Sequence, residues 1–498
     1  MQLQRKLISG LFWILLLNLL IKPFWILGIE VGVQNAVSTS EYGIYITLFN
    51  LAYIFNILLD LGITNFNTRN IARHPALINR YCSRLLAVKA ILLVFYMLVT
   101  MSAGLLNGYG SRQFQLLALL CFNQFLNSLI LFLRSNLEGL LLFRWDSVVS
   151  VLDRIVMIVI CGFLLWGPPA GSAGGFSIFW FVYAQTAAYL VTALVALVVV
   201  VRKLHRNRNL ASPSRFTFSK RNLLFALAIL KRSAPFALLV LLMASYNRID
   251  PLLLSLLLPE GDHAAGIYAG AFRLLDALSM IPYLVSVPLL PVFARLTHQN
   301  DHPQLSSTTL MVTSLLLVFS LTAAFSCSAL GTQLMDVLYT EHVAEYSSVF
   351  TLLVFCIIPI SMTYVFGTLL TAAGHLRQLN ILATITLVIN IVVNLICIPR
   401  MGVIGAACAS LTAQSFMAIA QMIVALRLFH MRPPASYLLR LGAFILLVGA
   451  IAFGTRSFVW WQSMLIAAGV ALALADLLGI LKTDILTQLL KSTSNVKS

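Results

Sequence analysis

The sequence predicts an all-α integral membrane protein of about fourteen transmembrane helices. Three observations carry that prediction: an apolar composition, the length of the apolar runs, and the sidedness of the basic residues. Of 498 residues 60% are apolar and only 10% are charged, where soluble domains carry about 25% charged residues. A soluble protein of this size needs a polar surface that this chain does not supply, so lipid covers much of it. In hydrocarbon every backbone N–H and C=O must be satisfied internally, and the runs are far too long for membrane strands, which leaves helices.

Fourteen runs reach the length of about 20 apolar residues that crosses roughly 30 Å of hydrocarbon. They lie near 8–30, 42–66, 83–105, 114–137, 148–167, 176–201, 234–258, 266–291, 307–331, 348–371, 379–399, 403–428, 438–455 and 461–482. The first follows Arg5 and Lys6 as the core of a secretory leader would. It continues to Glu30 with bulky residues and no A-x-A-like cleavage site, so a retained span is expected.

With the N-terminus taken as cytoplasmic, 24 of the 33 Lys and Arg residues fall on the cytoplasmic side. Only Arg112, Arg400 and Arg456 fall on the other, and six lie within spans. The positive-inside rule then predicts cytoplasmic N- and C-termini and an even number of spans. The same sidedness explains the net charge of +17 without nucleic acid, because the basic residues sit in short loops between apolar runs. Cys82, Cys121, Cys161, Cys327, Cys356, Cys397 and Cys408 lie in or beside apolar runs with no CxxC pair. Such thiols behave as small hydrophobes, so no disulfide and no metal site is expected.

The loop at 202–233 divides the first twelve spans six and six. Within it, residues 218–232 are apolar with basic ends, the pattern of an interfacial helix on an anionic leaflet. The two halves share a motif. Gly43-Ile44-Tyr45…Phe49-Asn50-Leu51 in the second span matches Gly266-Ile267-Tyr268…Phe272-Arg273-Leu274 in the eighth. Span one carries Lys22-Pro23, and span seven carries Arg248 followed by Pro251, at similar depth. Two same-orientation repeats are a transporter architecture. The expected organisation is therefore a first six-helix lobe at 1–201, a basic cytoplasmic linker with interfacial helix at 202–233, a second six-helix lobe at 234–428, and two further spans with a cytoplasmic tail at 429–498.

Ionisable groups in hydrocarbon are costly and usually face a wet cavity or a partner. Lys22, Arg248 and Arg273 lie at similar depth. On one reading they form a cationic cavity floor for a phosphate-bearing or acidic substrate, Arg offering bidentate geometry and Lys a point charge. On the other they are structural pairs, Arg273 with Asp276 at i+3 and Lys22 snorkelling or pairing across helices. Asn123, Asn127, Arg134 and Glu138 share one face of the fourth span at 100° per residue. That stripe, with Asn18 of span one, either lines a secondary cavity or forms an interhelical hydrogen-bond seam. Asp60, Asp250 and Asp276 are the candidate carboxylates for proton or Na⁺ coupling. Pro23, Pro251, Pro282, Pro288 and Pro291 interrupt the central helices and are candidate kinks.

No Gly-Lys dipeptide occurs, so there is no Walker A motif, and no HExxH occurs. The outer loops are too short for the catalytic domains of a membrane glycosyltransferase or polymerase. Neither an enzyme nor a cofactor is expected.

Several segments resemble the polysaccharide (O-antigen, Wzx-type) flippases of the multidrug/oligosaccharidyl-lipid/polysaccharide exporter superfamily. They are Leu59-Asp60-Leu61-Gly62-Ile63 followed by Arg69-Asn70-Ile71-Ala72, then Gly266-Ile267-Tyr268, and Ile398-Pro399-Arg400-Met401-Gly402-Val403-Ile404-Gly405-Ala406-Ala407. The resemblance spans nearly the whole chain. It implies two six-helix lobes around a central cavity, and undecaprenyl-diphosphate-linked oligosaccharide carried from the inner to the outer leaflet of a bacterial inner membrane. It also implies a monomer among membrane lipids, working beside polysaccharide polymerase and assembly proteins. Lys22, Arg248 and Arg273 match the cationic cavity residues by depth and span. Drug-efflux relatives share the fold with twelve spans. A cation-coupled small-molecule exporter is the alternative.

Overall fold

A computed structural model of the chain describes residues 21 and 23–481, apart from 65–66, 69–70, 72–77, 141, 168–175, 207–219 and 432–433. Among the described residues the chain is helical, with no strand. Twelve helices are long and apolar enough to cross a membrane, and a bent pair, Ala234–Arg248 with Asp250–Leu257, makes a thirteenth. These thirteen coincide with spans two to fourteen of the sequence. Most of span one, with Lys22 and Asn18, lies outside the described residues.

The helices α1 to α6 are Val31–Ala36, Thr39–Ile54, Ile78–Leu106, Ser111–Gly139, Phe143–Trp166 and Ile178–Arg206. A π-helical turn, Trp25–Glu30, leads into α1, and a 3₁₀ turn, Phe55–Leu59, closes α2. Next come α7 (Lys220–Arg248), α8 (Asp250–Leu257), α9 (Gly261–Ser286), α10 (Leu289–His298), α11 (His302–Ala329) and α12 (Gly331–Leu338). The last six are α13 (Val343–Leu353), α14 (Ile357–Ala372), α15 (Leu376–Met401), α16 (Val403–Leu428), α17 (Ala435–Gly454) and α18 (Trp460–Leu477).

The sequence reading separates an interfacial helix at 218–232 from the seventh span. In the structure residues 220–248 are one helix, with Pro235 inside it. The helix continues through Pro235, although a proline there removes an intrahelical bond and crowds the carbonyl one turn back.

The chain forms two compact units, Met1–Ala269 and Gly270–Ser498, and α9 runs from the first into the second. The division does not fall at the linker, because α7, α8 and the start of α9 pack on α2 inside the first unit. In the second unit α15 and α16 form a hairpin and α11 packs on α14, α17 and α18. Gly402 makes the hairpin turn at φ +58°, a backbone region that glycine enters without steric cost.

The polarity of each unit suits lipid. Leu106, Leu439 and Leu446 face outward, while Thr386, Asn390 and Asn394 are fully buried. A soluble protein distributes these residue types the other way.

Candidate functional site

The seventh span breaks between α7 and α8, where the axis bends by 48°. Pro251 causes the break, since it lacks an N–H for the carbonyl one turn back and its ring crowds that carbonyl. A broken helix exposes two half-helix ends, and each meets a charge of the stabilising sign. Arg248 ends α7 and Asp250 begins α8. The Arg248 guanidinium stands 5.6 Å from the ring centre of Tyr53 on α2. Asp250 is fully buried and accepts a 2.8 Å hydrogen bond from the Tyr268 hydroxyl. The Thr47 hydroxyl donates to the Pro251 carbonyl at 3.4 Å, which ties α2 to the start of α8. This arrangement can present a half-buried arginine to an anion at a helix break.

Asp60 lies at a second break. After the 3₁₀ turn the chain leaves the helix through Leu61 at φ +43° and Gly62 at φ +87°. The Asp60 carboxylate accepts from the Thr64 N–H and hydroxyl and forms a 3.0 Å ion pair with Lys89 of α3. Lys89 is 2% exposed, and its ammonium also donates to the Leu59 carbonyl at 3.1 Å and the Ser128 hydroxyl at 2.7 Å. Asp60 is thus already neutralised by an internal cation.

The stripe on α4 separates into three contacts. Asn123 donates to Gln185 at 3.1 Å and accepts from the Thr186 hydroxyl at 2.7 Å, both on α6. Arg134 forms a bidentate pair with Asp146 of α5, at 2.7 and 3.2 Å. Glu138 accepts from the Thr68 hydroxyl at 3.3 Å. Asn127, half-buried, shares their face. In the second unit Arg273 is 8% exposed, and Asp276, three residues on, is half-buried.

Sequence reasoning passed over two of the six intramembrane cations. One is Lys89. The other is Arg154 of α5, which lies 5.3 Å from the Trp25 ring centre and 3.5 Å from the Asp153 carboxylate. Glu30, Tyr45 and Tyr189 are its further electrostatic neighbours, and Phe181 stacks on Trp25 and meets Tyr45 edge-on. The usable signal was their position about two turns inside the apolar runs 83–105 and 148–167, beyond the loop residues.

A polytopic helical bundle with broken spans and buried charge at the breaks has the form of a transporter. The comparisons with known proteins give the class. The structure is similar to the lipid II flippase MurJ in an inward closed conformation, with a TM-score of 0.65 and 14% identity over 96% of this chain and 98% of that one. It is also similar to an inward-facing multidrug resistance MATE family transporter of the MOP superfamily, with a TM-score of 0.64 and 15% identity over 82% of this chain and 94% of that one. A MOP superfamily transporter from Pyrococcus furiosus aligns with a TM-score of 0.57 and 13% identity over 86% of this chain and 96% of that one. The fold is that of MOP superfamily transporters. The sequence matches the polysaccharide biosynthesis protein family over residues 7–297, more than half its length, and the chain belongs to that family. The MatE family also matches, over residues 235–396. No curated protein sequence matches the chain.

Proposed function

We propose that this protein is a flippase that carries undecaprenyl-diphosphate-linked oligosaccharide repeat units from the cytoplasmic to the outer leaflet of a bacterial inner membrane. The family match over residues 7–297 carries this reading. The fourteen expected spans and the 96% coverage by a lipid II flippase, against 82% by a multidrug transporter, support it. The lobes at 1–201 and 234–428 would alternate access to a cavity between them, with both termini cytoplasmic. Lys22, Arg248 and Arg273 would receive the diphosphate or acidic sugars, with Asn18, Asn123, Asn127 and Arg134 as a secondary lining. Asp60, Asp250 and Asp276 would be the coupling carboxylates. Of these, Asp60 is paired with Lys89 and Asp250 accepts from the Tyr268 hydroxyl.

The match to the MatE family favours a second reading, a cation-coupled exporter of small molecules. Deleting the gene separates the two. The flippase reading expects lipid-linked repeat units held on the cytoplasmic leaflet, protected from an externally added glycosidase, with surface glycan lost. Normal surface glycan together with altered drug tolerance would favour the exporter.

A further inference from the structure

We propose that Gly43 and Gly266, the glycines of the repeated Gly-Ile-Tyr segment, form the outer seal of the transport path, a backbone contact that must part for cargo to leave. The inference rests on the transport reading above and on the charge-derived topology that puts residues 31–41 and 259–265 outside.

The contact is closer than any side chain permits. A Cβ built on Gly43 would lie 1.7 Å from the Asp262 carbonyl oxygen and 2.9 Å from the Gly266 nitrogen. A Cβ on Gly266 would lie 2.1 Å from the Thr39 carbonyl oxygen. The two contacts mirror each other. Thr39 precedes Gly43 by four residues, and Asp262 precedes Gly266 by four. Each glycine therefore meets the carbonyl one turn ahead of the other glycine, as a two-fold axis between α2 and α9 requires. The repeat seen in the sequence and the symmetry of the contact are independent observations of the same duplication.

Small residues commonly let membrane helices approach, and packing alone accounts for one close glycine. The duplication accounts for the reciprocity; what packing does not account for is the position of the contact. From the glycines the seam continues inward through Thr47 and the Pro251 carbonyl to Arg248 over Tyr53. Tyr53 is ten residues below Gly43, roughly 15 Å along the helix. The glycines thus lie at the outward end of α2, the helix whose inward half meets α8 at Pro251 and α7 at the candidate anion site. The closure is also built to open. Backbone approach of this closeness lets Cα–H groups face carbonyl oxygens, contacts that are individually weak, and the Gln34 amide donates to the Gly266 carbonyl at 3.0 Å. Asp262 is held separately, by the Ser255 hydroxyl at 2.9 Å. Burial and the Asp262 charge push the neighbouring Tyr109 phenol up to about 12, so it stays neutral there.

The test uses the full chain in intact cells. Thr47→Cys, one turn inside Gly43 and nearly isosteric, is the reporter, and the chain without it corrects for native cysteines. A membrane-impermeant maleimide added outside should label Thr47→Cys weakly. Adding Gly43→Ala or Gly266→Ala should raise labelling several-fold, and the double variant should not exceed the larger single effect, since both open one seam. Unchanged labelling in alanine variants of normal membrane abundance overturns the seal, and so does labelling reached only from the cytoplasmic face. If the alanine variants do not accumulate, Gln34→Ala adds no atom at the contact and gives the same readout: increased labelling supports the seal, and no increase overturns it. Labelling does not depend on cargo, so a failure of the flippase reading would show in the glycan assay and leave this result standing.

Discussion

Asp60→Asn is expected to be among the most destabilising single substitutions in the first unit, more so than loss of its partner by Lys89→Met. The two halves of the ion pair are unequally buried: the Lys89 side chain is 2% exposed and that of Asp60 is 23% exposed. Removing the carboxylate charge strands a buried ammonium with only neutral acceptors, the Leu59 and Ser128 oxygens. Breaking a buried pair in this way costs about 3–5 kcal/mol. Lys89→Met strands the carboxylate instead, but Asp60 keeps the Thr64 N–H and hydroxyl and has water within reach. A hydrogen-bonded group left short of one partner costs about 1–3 kcal/mol. The double variant Asp60→Asn/Lys89→Met removes both charges and should recover to the Lys89→Met level or above, since apolar replacement of a buried pair is often near neutral. Thermal unfolding of the purified protein in one detergent measures all three. Equal losses for the two single variants, or a double variant worse than Asp60→Asn, would show that the pair does not hold this break.

That break also marks the limit of what the sequence discloses. Hydropathy located thirteen spans correctly because the requirement behind it is local: any stretch that crosses hydrocarbon must satisfy its own backbone. The end of a helix inside an apolar run is not local in that sense. The second run reads as apolar from 42 to 66, yet the helix stops at Leu59, and the turn beyond it depends on Lys89 reaching across from α3. The segment Leu59-Asp60-Leu61-Gly62 was visible as a family motif; its meaning as a helix break was not. The motif around Gly402 behaves similarly, its glycine placed at a positive φ between α15 and α16. The candidate site divides along the same line. Arg248 and Pro251 could be picked out by their neighbourhood in the chain. Lys89 and Arg154 have partners on other helices or an aromatic ring far away in sequence, and no single-helix pattern points to those. The α4 stripe shows the converse error that periodicity invites: residues on one face of one helix turn out to serve three different neighbours.

Arg248→Ala is expected to lower glycan export by about 10- to 100-fold, because a charge-assisted hydrogen bond contributes about 1.5–3 kcal/mol and cargo binding would lose at least one. The arginine complements the C-terminal end of α7, a contribution of about 0.3–1 kcal/mol, and its contact with Tyr53 adds about 0.5–1 kcal/mol or somewhat more where water is excluded. Export and abundance therefore separate the binding role from the structural one. Arg248→Lys keeps the charge and forfeits the bidentate fork, so export should fall between the parent and Arg248→Ala. Tyr53→Phe retains the ring face and should resemble the parent, whereas Tyr53→Leu removes it and should follow Arg248→Ala part of the way. These expectations are checked by surface glycan per unit of membrane-inserted protein, measured at matched expression. A purely structural Arg248 predicts the opposite ordering: abundance falls first and export per molecule holds. Full export per molecule by Lys22→Ala/Arg248→Ala would sink the cationic floor, because an anionic cargo would then cross without either of the cations that the sequence repeat is expected to set at similar depth.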